Sequence, residues 1–232
     1  MYFRTIMPYF PGTLAGLAAM LLAGLGGCGH GAADMSHTGR GVDAAKFDKN
    51  MKAQSETAEG IRWHDPRRAP FQLVGFAWFG TDGIYRRMPV HPAEPLPQAV
   101  DGLANSTAGG QIRFVTDSRR CSVQVTLAGL AGMVHMPATG QCGFDIYIGP
   151  PGQQKYYMTT KYDHKQIEYE YLLMDMPDRR ERMITLNFPL YQGVERVEVG
   201  LDPDATIAPP PPFEDDRPIV VYGTSITQGG CA

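Results

Sequence analysis

No stretch of this sequence concentrates positive charge. Its 21 Lys and Arg are outnumbered by 24 Asp and Glu, and the pairs Arg119-Arg120 and Arg179-Arg180 stand apart from each other beside acidic residues. Nucleic acid is held by clustered cations that displace counterions, so no nucleic-acid partner is expected. The four cysteines form no CxxC pair and no His/Cys cluster, which argues against a structural zinc site. Apolar stripes at helical spacing do not run past about two turns, and internal repeats are absent. What is present is ordinary globular material, 43% hydrophobic and 19% charged, with 27 Gly and 19 Pro to supply turns. A chain of 232 residues can bury one large all-β domain or two smaller ones.

The first residues form a separate segment. After Arg4 no charge occurs until past Gly29, and the run "TLAGLAAMLLAGLGGCG" is short and rich in small residues. That composition fits a secretory signal rather than a membrane-spanning helix. Leu25-Gly26-Gly27-Cys28 resembles the bacterial lipobox, in which the cysteine is lipidated and becomes the mature N-terminus. An ordinary signal peptide with a chance cysteine is the alternative. Residues 1–28 are therefore expected to direct export to the cell envelope, with acyl chains on Cys28 adding roughly 0.8 kcal/mol of membrane affinity per buried CH₂. Residues 29–58 are polar and aperiodic, and they read as a flexible tether.

From Trp63 onward the apolar residues recur with the two-residue period of half-buried strands. Candidate strands are residues 71–79, 111–116, 122–127, 144–148, 156–160, 167–172, 183–187 and 194–200. "IRFVT" and "VQVTL" alternate cleanly around Asp117-Ser118-Arg119-Arg120, which reads as a hairpin. "FDIYIG" places Phe144, Ile146 and Ile148 on one face, with Asp145 and Tyr147 on the other. Short strands spaced by turns predict an antiparallel β-sandwich over residues 59–205, jelly-roll-like in size. Export would permit a disulfide between Cys121 and Cys142, and free buried thiols are equally compatible.

Next comes "ATIAPPPPFEDDRP", whose four consecutive prolines favour a semi-rigid connector across residues 206–217. Ile219-Val220-Val221-Tyr222 then differs from every earlier strand, being apolar on both faces as in a parallel sheet covered by helices. It feeds into Gly223-Thr224-Ser225. A strand, a tight small-residue turn and a serine at a helix start would push a hydroxyl and its own N–H out at a sheet edge. That is what an acyl-transfer nucleophile with an oxyanion donor needs.

Gly223-Thr224-Ser225-Ile226-Thr227-Gln228-Gly229 resembles the first block of the SGNH, or GDSL-like, hydrolases. The stretches "GFAWFGTDGIYRRMP", "IRFVTDS", "MPATGQCGFDIYIG" and "FPLYQGVERVEVGL" are similar to a β-sandwich that precedes the hydrolase domain in one bacterial branch of that family. The resemblance implies that Ser225 is the nucleophile, that its N–H is an oxyanion donor, and that residues 218–232 begin an α/β hydrolase domain. It implies no cofactor and no metal. Thr224 stands where many members carry Asp. The family's later Gly, Asn and D-x-x-H blocks do not follow, and Asp34-Met35-Ser36-His37, ahead of the serine, reads as a chance match.

A serine without a general base is a poor nucleophile, so this chain alone is expected to be inactive, the front part of a truncated or split esterase. The implied substrate is an ester, with an acetylated carbohydrate suggested by the envelope location. The alternative is a surface-anchored sandwich that binds carbohydrate without catalysis. Trp63, Phe76, Trp78 and Phe79 could stack on sugars, although such residues more often fill a core. His64, His91, His135 and His164 lie scattered in loops without partners at ligand spacing. Arg86-Arg87 reads as a solvated pair that could approach an active-site mouth, and Asp175 to Arg182 as a charged turn.

Overall fold

Alternating strands bury one face each, and ten of them are arranged here in two antiparallel sheets, in a computed structural model that describes residues 60–215 and 217–231. The expected signal segment, Cys28 and the tether lie outside the described residues. The first sheet runs β1 (Arg62–His64), β9 (Val194–Leu201), β4 (Arg120–Leu127), β7 (Glu168–Asp175). The second runs β10 (Ile207–Ala208), β3 (Gln111–Thr116), β8 (Arg182–Asn187), β5 (Asp145–Ile148), β6 (Lys155–Thr159). A short β2 (Gln72–Val74) also pairs with β3, so β2 and β10 share its outer edge.

The core lies between the sheets. Ile112 and Phe114 of β3, Ile146 of β5 and Ile184 and Leu186 of β8 meet Val123, Val125 and Leu127 of β4 and Val197 and Val199 of β9. Each fully buried aliphatic side chain contributes about 1.5–3 kcal/mol relative to exposure. Phe144, at 0% exposure, caps this core against Phe188, with ring centroids 4.9 Å apart. The result is the mainly β, antiparallel architecture that the alternation predicts.

Two local expectations change. Arg120–Leu127 does not fold back on Gln111–Thr116 as a hairpin, because β3 pairs with β8 whereas β4 pairs with β7 and β9 in the other sheet. "DSRR" has no glycine or asparagine to take the positive φ values of a tight hairpin turn. It arches between the sheets instead, with Ser118 fully buried and its hydroxyl hydrogen-bonded to the Arg120 carbonyl at 2.6 Å. The expected strand at 71–79 shortens to β2. Gly75, at φ +88, leaves no room for a Cβ against the Gly109 carbonyl, and the chain then enters α1 (Phe79–Asp82).

Both core cysteines are free. Cys121 sits in β4 and Cys142 ends α3 (Ala138–Cys142), so of the two alternatives the structure has the buried thiols. Burial pushes the Cys121 thiol up to about 12, and it raises Cys142 as well. The four aromatic residues that could stack on sugars do not form one exposed platform, and two of them pack on Tyr85 as core residues do. Phe76 is in the core against Tyr85 and Phe188, and Phe79 stacks on Tyr85. Trp63 crosses Gly200, where a Cβ would come within 2.7 Å of its ring, and Trp78 is exposed.

The proline segment is tied to the sandwich at its start. Thr206 N–H donates to Asp117 Oδ1 at 2.7 Å, β10 pairs with β3, and the Arg113 guanidinium lies 4.0 Å from the centroid of the Phe213 ring. Among the described residues no helix is long and apolar enough to cross a membrane.

Candidate active site

The terminal motif folds as one helical turn, and its glycines have separate reasons. Thr224 is extended at φ −82 and ψ −171, and α4 follows at Ser225–Gln228. Gly229, at φ +100, takes the left-handed conformation that ends many helices. Its N–H donates to the Ile226 carbonyl at 3.1 Å, and the Gly230 N–H donates to the Ser225 carbonyl at 2.7 Å. Those two bonds make a Schellman cap, so the turn is closed by its own backbone. Gly223 is required for another reason: a Cβ there would stand 2.1 Å from Thr227 Oγ1, which folds back over it.

Ser225 opens this turn and is exposed. The first intrahelical bond is Gln228 N–H to the Thr224 carbonyl at 3.2 Å, which leaves the N–H groups of Ser225, Ile226 and Thr227 without helical acceptors. Among the described residues nothing hydrogen-bonds to Ser225 Oγ, and no histidine side chain is bonded to a carboxylate. The preceding residues form no strand: Ile219, Val220, Val221 and Tyr222 are between 72% and 95% exposed. A segment apolar on both faces needs cover on both, and the described residues supply none.

The turn itself does not hang free. Tyr191 Oη donates to the Ser225 carbonyl at 2.8 Å, so that oxygen accepts from both Tyr191 and Gly230. Gln228 Nε2 donates to the Leu190 carbonyl at 2.7 Å, and Arg87 Nη2 lies 3.5 Å from Gln228 Oε1. The last two glycines are also fitted to this surface. A Cβ at Gly229 would fall 2.8 Å from Leu190 Cδ1, and one at Gly230 would fall 2.5 Å from Tyr191 Oη. Cys231 Sγ reaches the His135 carbonyl at 3.6 Å.

The loop that receives the turn is anchored from beneath. Thr107, with no exposed surface, places its hydroxyl 2.9 Å from the Pro189 carbonyl and 3.0 Å from that of Gln192, with one proton to donate between them. Tyr191 N–H donates to the Gln141 carbonyl at 3.0 Å, and the buried Gln141 amide is held by Met133 and Met136. Gln192 Nε2 donates to the Leu130 carbonyl at 3.0 Å. Three segments remote in sequence therefore fix residues 189–192.

The adjacent arginines divide. Arg86 is not solvated as expected: it is buried, paired with Asp101 and Asn105 and donating to the Met88 carbonyl at 3.1 Å. Arg87 points to the terminal turn and the Leu103 carbonyl, and burial lowers its pKa, partly offset by Tyr191. Of the histidines, His64 is lowered by burial first and by Arg62 second, while His91, His135 and His164 are exposed. No group of three or more His, Cys, Asp or Glu among the described residues could hold a metal. The sequence pointed to Ser225 and to the Arg86-Arg87 loop. Tyr191 and Gln228 lie in stretches that carry the resemblance, but nothing in the sequence gave their contacts, whose partners lie 34 and 38 residues away.

Residues 61–207 match the family model GxDLY, described as the N-terminus of SGNH-hydrolase-type esterases, and the chain belongs to that family. No curated protein matches it. Among solved structures it is similar to a protein from Bacteroides ovatus described as a GDSL-like lipase, at 22% identity and a TM-score of 0.59, over 65% of this chain and 43% of that one. It also matches the salicylyl-acyltransferase SsfX3 of a tetracycline biosynthetic pathway, at 16% identity and a TM-score of 0.41, over 66% of this chain and 42% of that one. A family two carbohydrate esterase from Cellvibrio japonicus matches at 14% identity and a TM-score of 0.43, over 73% of this chain and 41% of that one. The chain thus spans 41–43% of the length of these three proteins.

Proposed function

We propose that this chain supplies the sandwich and the nucleophile turn of an exported SGNH-type esterase, with Ser225 as the attacking group. The observation that carries the reading is the exposed serine at the head of a one-turn helix seated on a sandwich of this family. In the reaction Ser225 Oγ bonds to the ester carbonyl carbon while its proton passes to a general base. The tetrahedral oxyanion faces the free N–H groups of the first turn, the alcohol leaves with a proton, and water releases the acid from the acyl-enzyme. The base and its orienting carboxylate come from outside the described residues. The leader supports an envelope location with lipid on Cys28, and hence an ester on envelope or extracellular carbohydrate as substrate.

The protein as its host produces it tests this directly. A fluorophosphonate probe should label the peptide that contains Ser225, and Ser225→Ala should abolish both labelling and hydrolysis of p-nitrophenyl acetate. Hydrolysis that survives Ser225→Ala would remove Ser225 from the chemistry. Polysaccharide binding with no labelling would favour a binding module instead. Cys28→Ser should move the protein from the membrane fraction to the soluble one, and unchanged fractionation would refute the anchor.

A further inference from the structure

The contacts around α4 assign the sandwich a part in orienting the nucleophile, and we propose that Tyr191 is a positioning residue for Ser225, with Gln228 as its companion. The proposal rests on the reading of Ser225 as nucleophile and adds how its direction is set. Tyr191 touches no reacting atom. Its hydroxyl holds the Ser225 carbonyl at 2.8 Å, one residue from the free N–H groups and on the same backbone unit as the attacking side chain.

Three features separate this seat from an incidental contact. The Ser225 carbonyl accepts two hydrogen bonds, one from within the turn and one from the sandwich, so rotating the turn on the sandwich breaks the Tyr191 bond and leaves the internal one intact. Gln228 adds a second attachment three residues on, at the Leu190 carbonyl. Two points of attachment fix rotation about the helix axis, which one would leave free. Steric fit agrees: a Cβ at Gly229 or Gly230 would make Leu190 Cδ1 or Tyr191 Oη shift, and Gly229 is also held at φ +100. The seat is rigid because Thr107 and Gln141 bind the loop beneath it, whereas the segment leading into Ser225 is exposed and has no ladder partner among the described residues. Orientation is therefore delivered to the serine from the sandwich side. Half-buried Arg87 places Nη2 3.5 Å from Gln228 Oε1, at the other end of the amide that donates to Leu190.

Two measurements test it. On the 232-residue chain, hydrogen exchange of the peptide spanning Gly223 to Gly230 should quicken in Tyr191→Phe and in Gln228→Leu, with the sandwich melting temperature unchanged. In the protein as its host produces it, both variants should lower kcat and the rate of fluorophosphonate labelling at Ser225 by about 10- to 100-fold, with KM little changed. Tyr157→Phe, at an exposed tyrosine on β6, is the matched control and should change neither. Unaltered exchange in both variants, or quickened exchange with unaltered kcat, would overturn the proposal. So would a kcat loss accompanied by a collapsed melting temperature, since that is a folding role. If the wild-type protein fails to label at Ser225, the nucleophile reading falls, while the exchange measurement still decides whether the seat exists.

Discussion

Ile184 and Leu186 of β8 have no exposed surface, whereas Ile219 and Val220, in a run apolar on both faces, are 92% and 85% exposed. The more apolar segment is the exposed one, so partners rather than composition decide burial. β8 lies between β3 and β5 and presses its inner face on the opposite sheet, so its backbone groups are paired and its side chains dry. Among the described residues, 219–222 have neither ladder nor cover. Leaving apolar area in water costs about 25 cal/mol per Å², and such a strand is also a template for pairing with another chain. Among the described residues the terminal segment regains contact at Ser225, through Tyr191 and Gln228. The difference marks where the sandwich's own core ends and where a second layer would have to begin.

Substitution should expose this contrast most strongly. Phe144→Ala removes a ring packed on Phe188 and should cost about 3–5 kcal/mol of unfolding free energy in denaturant titration. Val220→Ser should cost less than about 0.5 kcal/mol, as expected of an exposed site, and should reduce self-association measured by light scattering. A comparable loss at Val220 would show that the terminal run packs on the sandwich in solution.

Acid should loosen the junction between the two regions before it unfolds the core. The hydrogen bond from Arg179 holds the Asp117 carboxyl near 2, helped by the Thr206 N–H and opposed by burial, against an ordinary value of 3.8. A depressed carboxylate contributes stability that is complete above its unfolded value and disappears as pH falls through the folded one. The contribution should therefore vanish between about pH 4 and pH 2. Asp65 and Asp202 are lowered as well, so the useful quantity is the difference between wild type and Asp117→Asn. Denaturation midpoints of the two proteins should converge across that window. Parallel curves would mean that Asp117 does not titrate with folding.

Much of this was legible in the sequence because a two-residue period is a local signal. The alternation in "VQVTL" and "FDIYIG" placed β4 and β5 within a residue or two, and glycine spacing placed the turn at Ser225. What escaped is non-local. β1 and β10, of three and two residues, are too short to show a period and exist because β9 and β3 offer open edges. The arch at Asp117–Arg119 looks like a hairpin until the partners of β3 and β4 are known. Arg86 and Arg87 are identical letters side by side, and their division into a buried ion pair and a contact with Gln228 is decided by Asp101, Asn105 and a residue 141 positions away. Tyr191 could not have been singled out, since its role depends on a loop fixed by Thr107 and Gln141.

The smallest expected effect concerns the piece that joins the two regions. Arg113 projects from the outer face of β3, is 2% exposed, and has no carboxylate hydrogen-bonded to it among the described residues. Gln72 Oε1 accepts from Nη1 at 2.7 Å, Nη2 has no hydrogen-bond partner among the described residues, and the Phe213 ring covers the guanidinium. A cation over an aromatic face is worth about 0.5–2 kcal/mol, the upper end only when desolvated. Phe213→Ala removes that attraction but readmits water to a guanidinium whose burial lowers its pKa, so the two terms oppose. The net cost in unfolding free energy should stay below about 1 kcal/mol. Local order should respond more than global stability, because Phe213 ties the proline segment to the sandwich through Arg113. Protease cleavage between residues 209 and 217 should accelerate in Phe213→Ala and stay slow in Phe213→Trp, since indole is the better partner for a guanidinium. Equal cleavage in both variants would show that β10 and the prolines hold the segment without Phe213, which would place the division between the two regions at Ala208 rather than beyond the aromatic ring.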